Sequence, residues 1–344
     1  MKRTILYAYI ALMLAVGLPF LANLGNRTAP REPNPTPPQA VDEASPPITA
    51  VRRGEDASGD EPLIAAEHAP EALRLLLPDG SVGSMELQDY LCGVVAAEMP
   101  ASFHDEALRA QAVAARSYAL YCASFSKHGE AQICTDPGCC QAWQSEEQRR
   151  SKWGEQFDAN EEKISSAVAA TRGEYLAFGG QPAFAAFHSS SAGATENSAD
   201  VWNAVPYLVS VPSPETAEDV PNYISRVTCS PIDFRDTVLS AHPEADFSGA
   251  QETWIGELRR DASGRVSTVE LGGAALGGKE LRQLFSLRST AFSLTYDGTV
   301  FVFTVTGFGH GVGMSQYGAD KMARQGANYR EILTHYYPGA VLVK

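Results

Sequence analysis

The sequence predicts an α+β protein with an N-terminal transmembrane helix, a tether, and a globular body whose helical part and β-rich part line a cleft. Three observations predict this. Lys2 and Arg3 precede Ile5–Leu24, an uncharged apolar stretch long enough at helical rise to cross a bilayer. Pro30, Pro33, Pro35, Pro37, Pro38, Pro46 and Pro47 crowd the next segment, which is too polar to bury a core. Beyond it, apolar residues recur first at helical spacing and later in short β-branched and aromatic runs.

The elements follow in order. Residues 1–24 read as a cytoplasmic stub and anchor, because the cations precede the apolar stretch. This places the protein as single-pass in the cell membrane, N-terminus inside and body outside. A cleaved signal peptide is the alternative, although Leu21-Ala22-Asn23-Leu24-Gly25 matches a cleavage site poorly. Residues 25–70 are the tether and 71–344 the body. Ala72–Leu77 reads as a strand closed by Pro78-Asp79-Gly80. Ser84 is the expected cap of a helix over 85–98. In it Leu87, Leu91 and Val94 form one stripe that Glu98 extends, and Pro100 ends it. Ser102 and Asp105 suggest a second helix over 103–126, and 163–172 a third that stops at Gly173. Strands 175–178 and 183–188 flank Gly179-Gly180 as a hairpin. Strands 266–271 and 299–306 and short helices near 279–285 and 328–337 complete the body.

Composition excludes several function classes. The chain has 344 residues, is 44% hydrophobic and 20% charged, and so can bury a real core. With 27 basic against 41 acidic residues the net charge is -14, and nucleic acid is not an expected partner. Six cysteines are too few for a disulfide scaffold at this length.

Four groups of residues carry candidate chemistry. Glu98 ends a helix on its packed face, where desolvation and the helix dipole both raise a carboxyl pKa. That is what a general acid needs near neutrality. His128, Cys134, Cys139 and Cys140 lie in one irregular segment and suit either tetrahedral zinc or, in an exported protein, a disulfide. Vicinal Cys139 and Cys140 do not easily bind one ion, so one of them is expected to be spare. A Cys–His nucleophile pair lacks an orienting partner. The glycine-rich run Gly307–Gly318 matches neither dinucleotide nor P-loop fingerprints. Its His310, Gln316 and Tyr317 can bond and stack on a sugar. The polar run Phe187–Asn197, with His188, Ser189 and Ser191, is read as a cleft wall; no G-x-S-x-G elbow supports a serine hydrolase.

These residues together resemble the stage II sporulation protein D family. The resemblance rests on Ala97-Glu98-Met99-Pro100, on Glu106–Ala119 and on Gly309–Ala319. Thr195-Glu196-Asn197-Ser198, Leu287–Phe292 and Ile332–Gly339 support it. It implies a lytic transglycosylase that cuts peptidoglycan glycan strands during sporulation engulfment, giving 1,6-anhydro-N-acetylmuramic ends. The strands would first be denuded of stem peptides by sporulation protein P, an amidase/endopeptidase, with sporulation protein M in the complex. The resemblance makes Glu98 the catalytic glutamate and matches Arg116 to the arginine of the following helix; Arg116 is expected either to bind substrate or to stabilise the ionised form of Glu98. Some clostridial members bind one zinc through H-x5-C-x5-C, met here by His128, Cys134 and Cys140, leaving Cys139 spare, with a water or else Cys139 in the fourth position. One carboxylate suffices for such a reaction, because the substrate's own C6 hydroxyl replaces water, whereas hydrolysis ordinarily uses two. Two rivals stand beside this: a non-catalytic cell-wall-binding amidase enhancer of the same family, and a zinc hydrolase, which lacks H-E-x-x-H.

Overall fold

The computed structural model describes residues 70–77, 79–124 and 128–344. The expected anchor and tether lie outside them.

Strands β1 (Ala72–Leu76) and β2 (Val82–Glu86) form an antiparallel hairpin, Ala72 opposite Glu86. The hairpin claims Ser84, so the first helix, α1 (Leu87–Glu98), starts later than the sequence suggests. Extended pairing wins there because β1 offers a ready edge. Helix α2 (Asp105–Ala123) is capped by His104, whose Nδ1 accepts from the Glu106 N–H, rather than by Ser102. Short β3 (Ile133–Cys134) pairs parallel to β1. Helix α3 (Glu146–Trp153) opens with a Ser145–Gln148 capping box, and α4 (Phe157–Ala170) packs on α1 and α2. The hairpin at Gly179-Gly180 forms between β4 (Tyr175–Phe178) and β5 (Gln181–Pro182). Its expected continuation, β6 (Phe187–His188), pairs elsewhere.

A one-turn helix α5 (Ser198–Val201) leads to β7 (Ile224–Cys229) and α6 (Pro231–Ala241). Next come β8 (Ile255–Arg260), β9 (Val266–Leu271), β10 (Ala274–Gly277), α7 (Gly278–Leu284), β11 (Phe292–Tyr296) and β12 (Phe301–Thr306). This inserted part has its own core, where Phe234 stacks on Phe301 and Phe301 on Trp254 with centroids 4.0 and 5.5 Å apart. The chain then returns through β13 (Met314–Ser315), which pairs parallel with β6, to α8 (Gln316–Arg324), α9 (Tyr329–Tyr336) and β14 (Val341–Val343), which pairs with β4. The main core therefore joins residues 73–208 to 312–337.

Two expectations are corrected. The class is a mixed helix-and-strand body, with short strands interleaved between helices. No helix among the described residues is long and apolar enough to cross a membrane, so a single-pass placement is not supported. The longest of them, α2, carries Asp105, Glu106, Arg109 and Arg116 and buries its apolar stripe in the protein core.

Candidate functional site

Glu98 sits at the last turn of α1, whose Tyr90, Leu91, Val94 and Val95 are fully buried. Each such apolar side chain contributes about 1.5–3 kcal/mol on burial, which fixes the helix and hence the carboxylate at its end. Glu98 itself is half-buried. Its Oε1 accepts from the Ala142 N–H at 3.0 Å and its Oε2 from Gln316 Nε2 at 3.4 Å. Desolvation pushes its carboxyl from 4.5 up to about 7, and the two N–H donors pull it partly back.

The strand of chain that delivers the Ala142 N–H has a specific requirement. Segment 140–144 runs against α1 at Gly93, whose carbonyl accepts from Gln144 N at 3.2 Å. A Cβ on Gly93 would lie 2.2 Å from Trp143 Nε1, so only glycine allows the approach, despite its cost inside a helix. Gln141 is buried; its Nε2 donates to the Ala115 carbonyl and its Oε1 receives the Tyr90 hydroxyl at 3.4 Å.

Two residues before Ala142 the metal-type cluster begins. His128 Nε2 lies 3.3 Å from Cys140 Sγ and 3.7 Å from Cys139 Sγ, and those two sulfurs are 4.0 Å apart. Cys134 joins them, with all four ligand atoms within 4.8 Å of one another. A tetrahedral zinc with bonds of about 2.0–2.3 Å has ligand–ligand edges of about 3.3–3.8 Å, so this donor set fits. All six cysteines are free thiols. The Cys134 and Cys140 thiols are pushed far up, first by the hydrogen bonds among neighbouring thiols and then by burial, and a central cation would reverse both. Cys139, expected to be spare or else the fourth ligand, lies with the other three: the Asp136 carbonyl receives both the Cys139 and Cys140 N–H groups, and both sulfurs fall within the cluster.

The remaining expected site residues separate. Gln316, first residue of α8, is the one that reaches Glu98. Its placement depends on Gly313, where a Cβ would lie 2.0 Å from the Ala186 carbonyl and so block the β6–β13 pairing. Ser189 and Tyr317 meet through their backbones, Tyr317 N to Ser189 O at 3.0 Å, and the Tyr317 ring packs edge-on to Phe103. His188 is buried; its Nδ1–H donates to the Val312 carbonyl and its Nε2 accepts from the Ser191 hydroxyl at 2.7 Å. Burial holds it neutral, and His310 likewise, whose pKa falls to about 3. Arg116 requires correction as a substrate-binding residue. It is 0% exposed and donates to the carbonyls of Val168, Thr171 and Glu174, so it ties α2 to the turn after α4.

Two contributors were not legible in the sequence and a third went unnoticed. The Ala142 backbone donor has no residue signature. Glu215 is buried and accepts from Ser191 N, Ser213 and Ser315, fixing the start of α8; a lone Glu in Ser-Pro-Glu gave no signal. Trp202, beside His310 with ring centroids 4.8 Å apart, lies four residues after the Thr195–Ser198 run and was open to notice there.

Comparison with known proteins adds an independent line. Residues 80–178 match the family model described as stage II sporulation protein, a span that holds Glu98 and all four cluster residues. The chain is 38% identical to stage II sporulation protein D of Bacillus amyloliquefaciens over 75% of this chain and 74% of that one. It is 35% identical to stage II sporulation protein D of Bacillus subtilis (strain 168), over 85% and 83%. It is 28% identical to the amidase enhancer of the same Bacillus subtilis strain, over 73% of this chain and 40% of that one.

Proposed function

Because the chain belongs to the stage II sporulation protein D family, we propose that it is a peptidoglycan lytic transglycosylase acting on denuded glycan strands in sporulation engulfment. The observation that carries this reading is Glu98, a carboxyl held near pKa 7 beside two neutral donors. In the first half-reaction Glu98 gives its proton to the glycosidic oxygen between N-acetylmuramic acid and N-acetylglucosamine as that C–O bond breaks. The resulting carboxylate then takes the proton of the muramic C6 hydroxyl as its oxygen bonds to C1. One group serves as acid and base, and no water enters. A pKa near the working pH suits both halves. The Ala142 N–H and Gln316 stabilise the carboxylate between them; a well-formed hydrogen bond to a charged group contributes about 1.5–3 kcal/mol, and the longer Gln316 bond contributes less.

His128, Cys134, Cys139 and Cys140 would hold one zinc. Bound there, it supplies structural cross-linking, stapling the chain after α2 to the segment that presents Ala142. Sporulation proteins P and M are the expected partners, the first supplying strands free of stem peptides.

The relative named amidase enhancer supports a second reading, a non-catalytic wall-binding protein. One experiment separates the two. The wild type is incubated with amidase-treated and with intact sacculi and the products are analysed by mass spectrometry. We expect 1,6-anhydromuramic ends, more of them from treated sacculi, and none from Glu98→Gln. Absence of anhydro products from the wild type, with sacculi still bound, would establish the second reading.

A further inference from the structure

A denuded glycan strand carries a charge on its sugars that an intact strand lacks. The stem peptide is joined to muramic acid by an amide on the C3 lactyl group. An amidase adds water across that C–N bond, which leaves the peptide as a free amine and the lactyl group as a carboxylate. A protein that acts after the amidase reads this anion with a cation beside its cleft. In a chain of net charge -14, such a cation works against the background field.

Arg288 has the properties required. Its guanidinium lies over the Phe308 ring at 4.2 Å, and its carbonyl accepts from the Gly309 N–H at 2.9 Å, so the glycine-rich loop holds both ends of the residue. The residue is half-buried. Of its three guanidinium nitrogens only Nε is enclosed without a partner, so Nη1 and Nη2, a fork that grips a carboxylate, reach solvent. Burial lowers its pKa, and among the described residues the one titratable group that acts on it is the Tyr317 hydroxyl; no carboxylate neutralises it. Arg265, the other arginine against this loop, is instead fully buried beside Glu196.

The first turn of α8 relates this cation to the acid. Gln316 donates to Glu98, and the next residue, Tyr317, lies within the field of Arg288 while its ring packs on Phe103 in the connection that follows Glu98. Among the described residues no cation acts on Glu98 itself, so Arg288 is set apart from the acid and leaves its raised pKa intact. The lactyl group suits that separation. It hangs from C3, two carbons round the ring from the anomeric carbon, so its carboxylate lies away from the bond held at Glu98.

We propose that Arg288 forms a lactyl-carboxylate subsite: its guanidinium fork binds the carboxylate that stem-peptide removal exposes on muramic acid, and so selects denuded over intact strands. This rests on the glycan-cleaving reading above and adds to it the group by which the substrate is recognised. Arg288 is then a specificity-determining residue.

The test uses binding, not turnover. Full-length Glu98→Gln protein is titrated calorimetrically with two tetrasaccharides of alternating N-acetylglucosamine and N-acetylmuramic acid, one with free lactyl acids and one with the same groups as primary amides. The amide keeps the shape and removes the charge. The net charge of -14 disfavours the acid, so a preference for it reports a local cation. We expect the acid form to bind about tenfold more tightly or better, the scale of a hydrogen-bonded charge pair. Adding Arg288→Met, which keeps a stem on Phe308, or Arg288→Gln should bring the two affinities together. Arg288→Lys, which keeps the charge without the fork, should restore part of the preference. Thermal unfolding confirms that each variant is folded. A residue that only holds the loop would weaken both forms alike and leave their ratio unchanged. Equal affinity for the two forms before Arg288 is changed, no binding of the acid form, or an unchanged ratio in a folded neutral variant overturns the subsite. Anhydro ends made by a wild type that binds both forms equally would remove the subsite alone; acid preference in a wild type that makes no anhydro ends would remove the catalytic reading alone.

Discussion

Two carboxylates in this protein are driven to about the same pKa by burial, and only one of them keeps access to solvent. Glu98 and Glu196 are each pushed from 4.5 up to about 7, in both cases chiefly by desolvation. Their neighbours differ. Glu98 is half-buried and is met by an amide N–H and a glutamine side chain, both neutral. Glu196 is 1% exposed, accepts from Ser263 and from its neighbour Asn197, and lies 3.5 Å from the buried guanidinium of Arg265. Arg265 packs beneath Gly311, where a Cβ would come within 2.5 Å of the guanidinium, and so joins the 261–265 turn to the glycine-rich loop. A raised pKa therefore marks desolvation, not function. Access and the charge of the neighbours separate an acid from a structural ion pair.

The comparison breaks most directly at Glu98. Glu98→Gln should lower glycan cleavage by about 10²–10⁴-fold with the fold intact, measured as the rate of anhydromuramic end formation. The same substitution at Glu196 should act on stability. It changes the group that Ser263, Asn197 and the buried Arg265 share, so its effect is read by denaturant unfolding, while the molecules that remain folded keep their turnover. If Glu196→Gln removes activity from a stable protein, the contrast collapses.

The pH behaviour sharpens it. A folded-state carboxyl pKa raised above its unfolded value contributes stability below the unfolded pKa, and that contribution is lost as pH rises through the folded pKa. For Glu98 the window runs from 4.5 to about 7. Above it, Glu98→Gln should be more stable than wild type by up to about 3 kcal/mol; at pH 4 the two should coincide. Cleavage, which needs the protonated acid, should fall through the same upper limit. Parallel stability curves at pH 4 and pH 8.5 would show that Glu98 is not desolvated.

At the cluster, Cys139→Ser and Cys134→Ser should each lower zinc affinity by about 10–100-fold or more, read by elemental analysis after dialysis and by the change in Tm on adding a chelator. Full zinc in Cys139→Ser would restore the reading in which that thiol is spare. The smallest effect is expected from Gln316→Ala. Its 3.4 Å bond to Glu98 is long, so its loss should raise the acid's pKa slightly and slow cleavage only a few-fold, seen as a small upward move of the alkaline limb of the pH–rate profile.

Legibility in the sequence followed the range of the interaction. Val94 and Glu98 share a helical face by spacing alone, and Gly173 and Gly179-Gly180 mark a helix end and a turn, so these positions could be read locally. The helix Pro231–Ala241 was equally local, with Ser230 as cap and Pro231 in the first turn, and went unread. Ser84 was misread because the competitor for its backbone, strand Ala72–Leu76, is a separate segment.

By itself, then, the sequence determined the family motifs, the acid at the end of the first helix, and the set of His and Cys donors. These are matters of residue type and short spacing. The tertiary structure alone decided that Arg116 is a buried tie, that Cys139 turns inward with Cys134 and Cys140, and that the partner of Glu98 is the main chain of Ala142. The reason is physical: a backbone N–H has no side-chain signature, and whether a charged or polar group faces a cavity or a carbonyl depends on which distant segment packs against it.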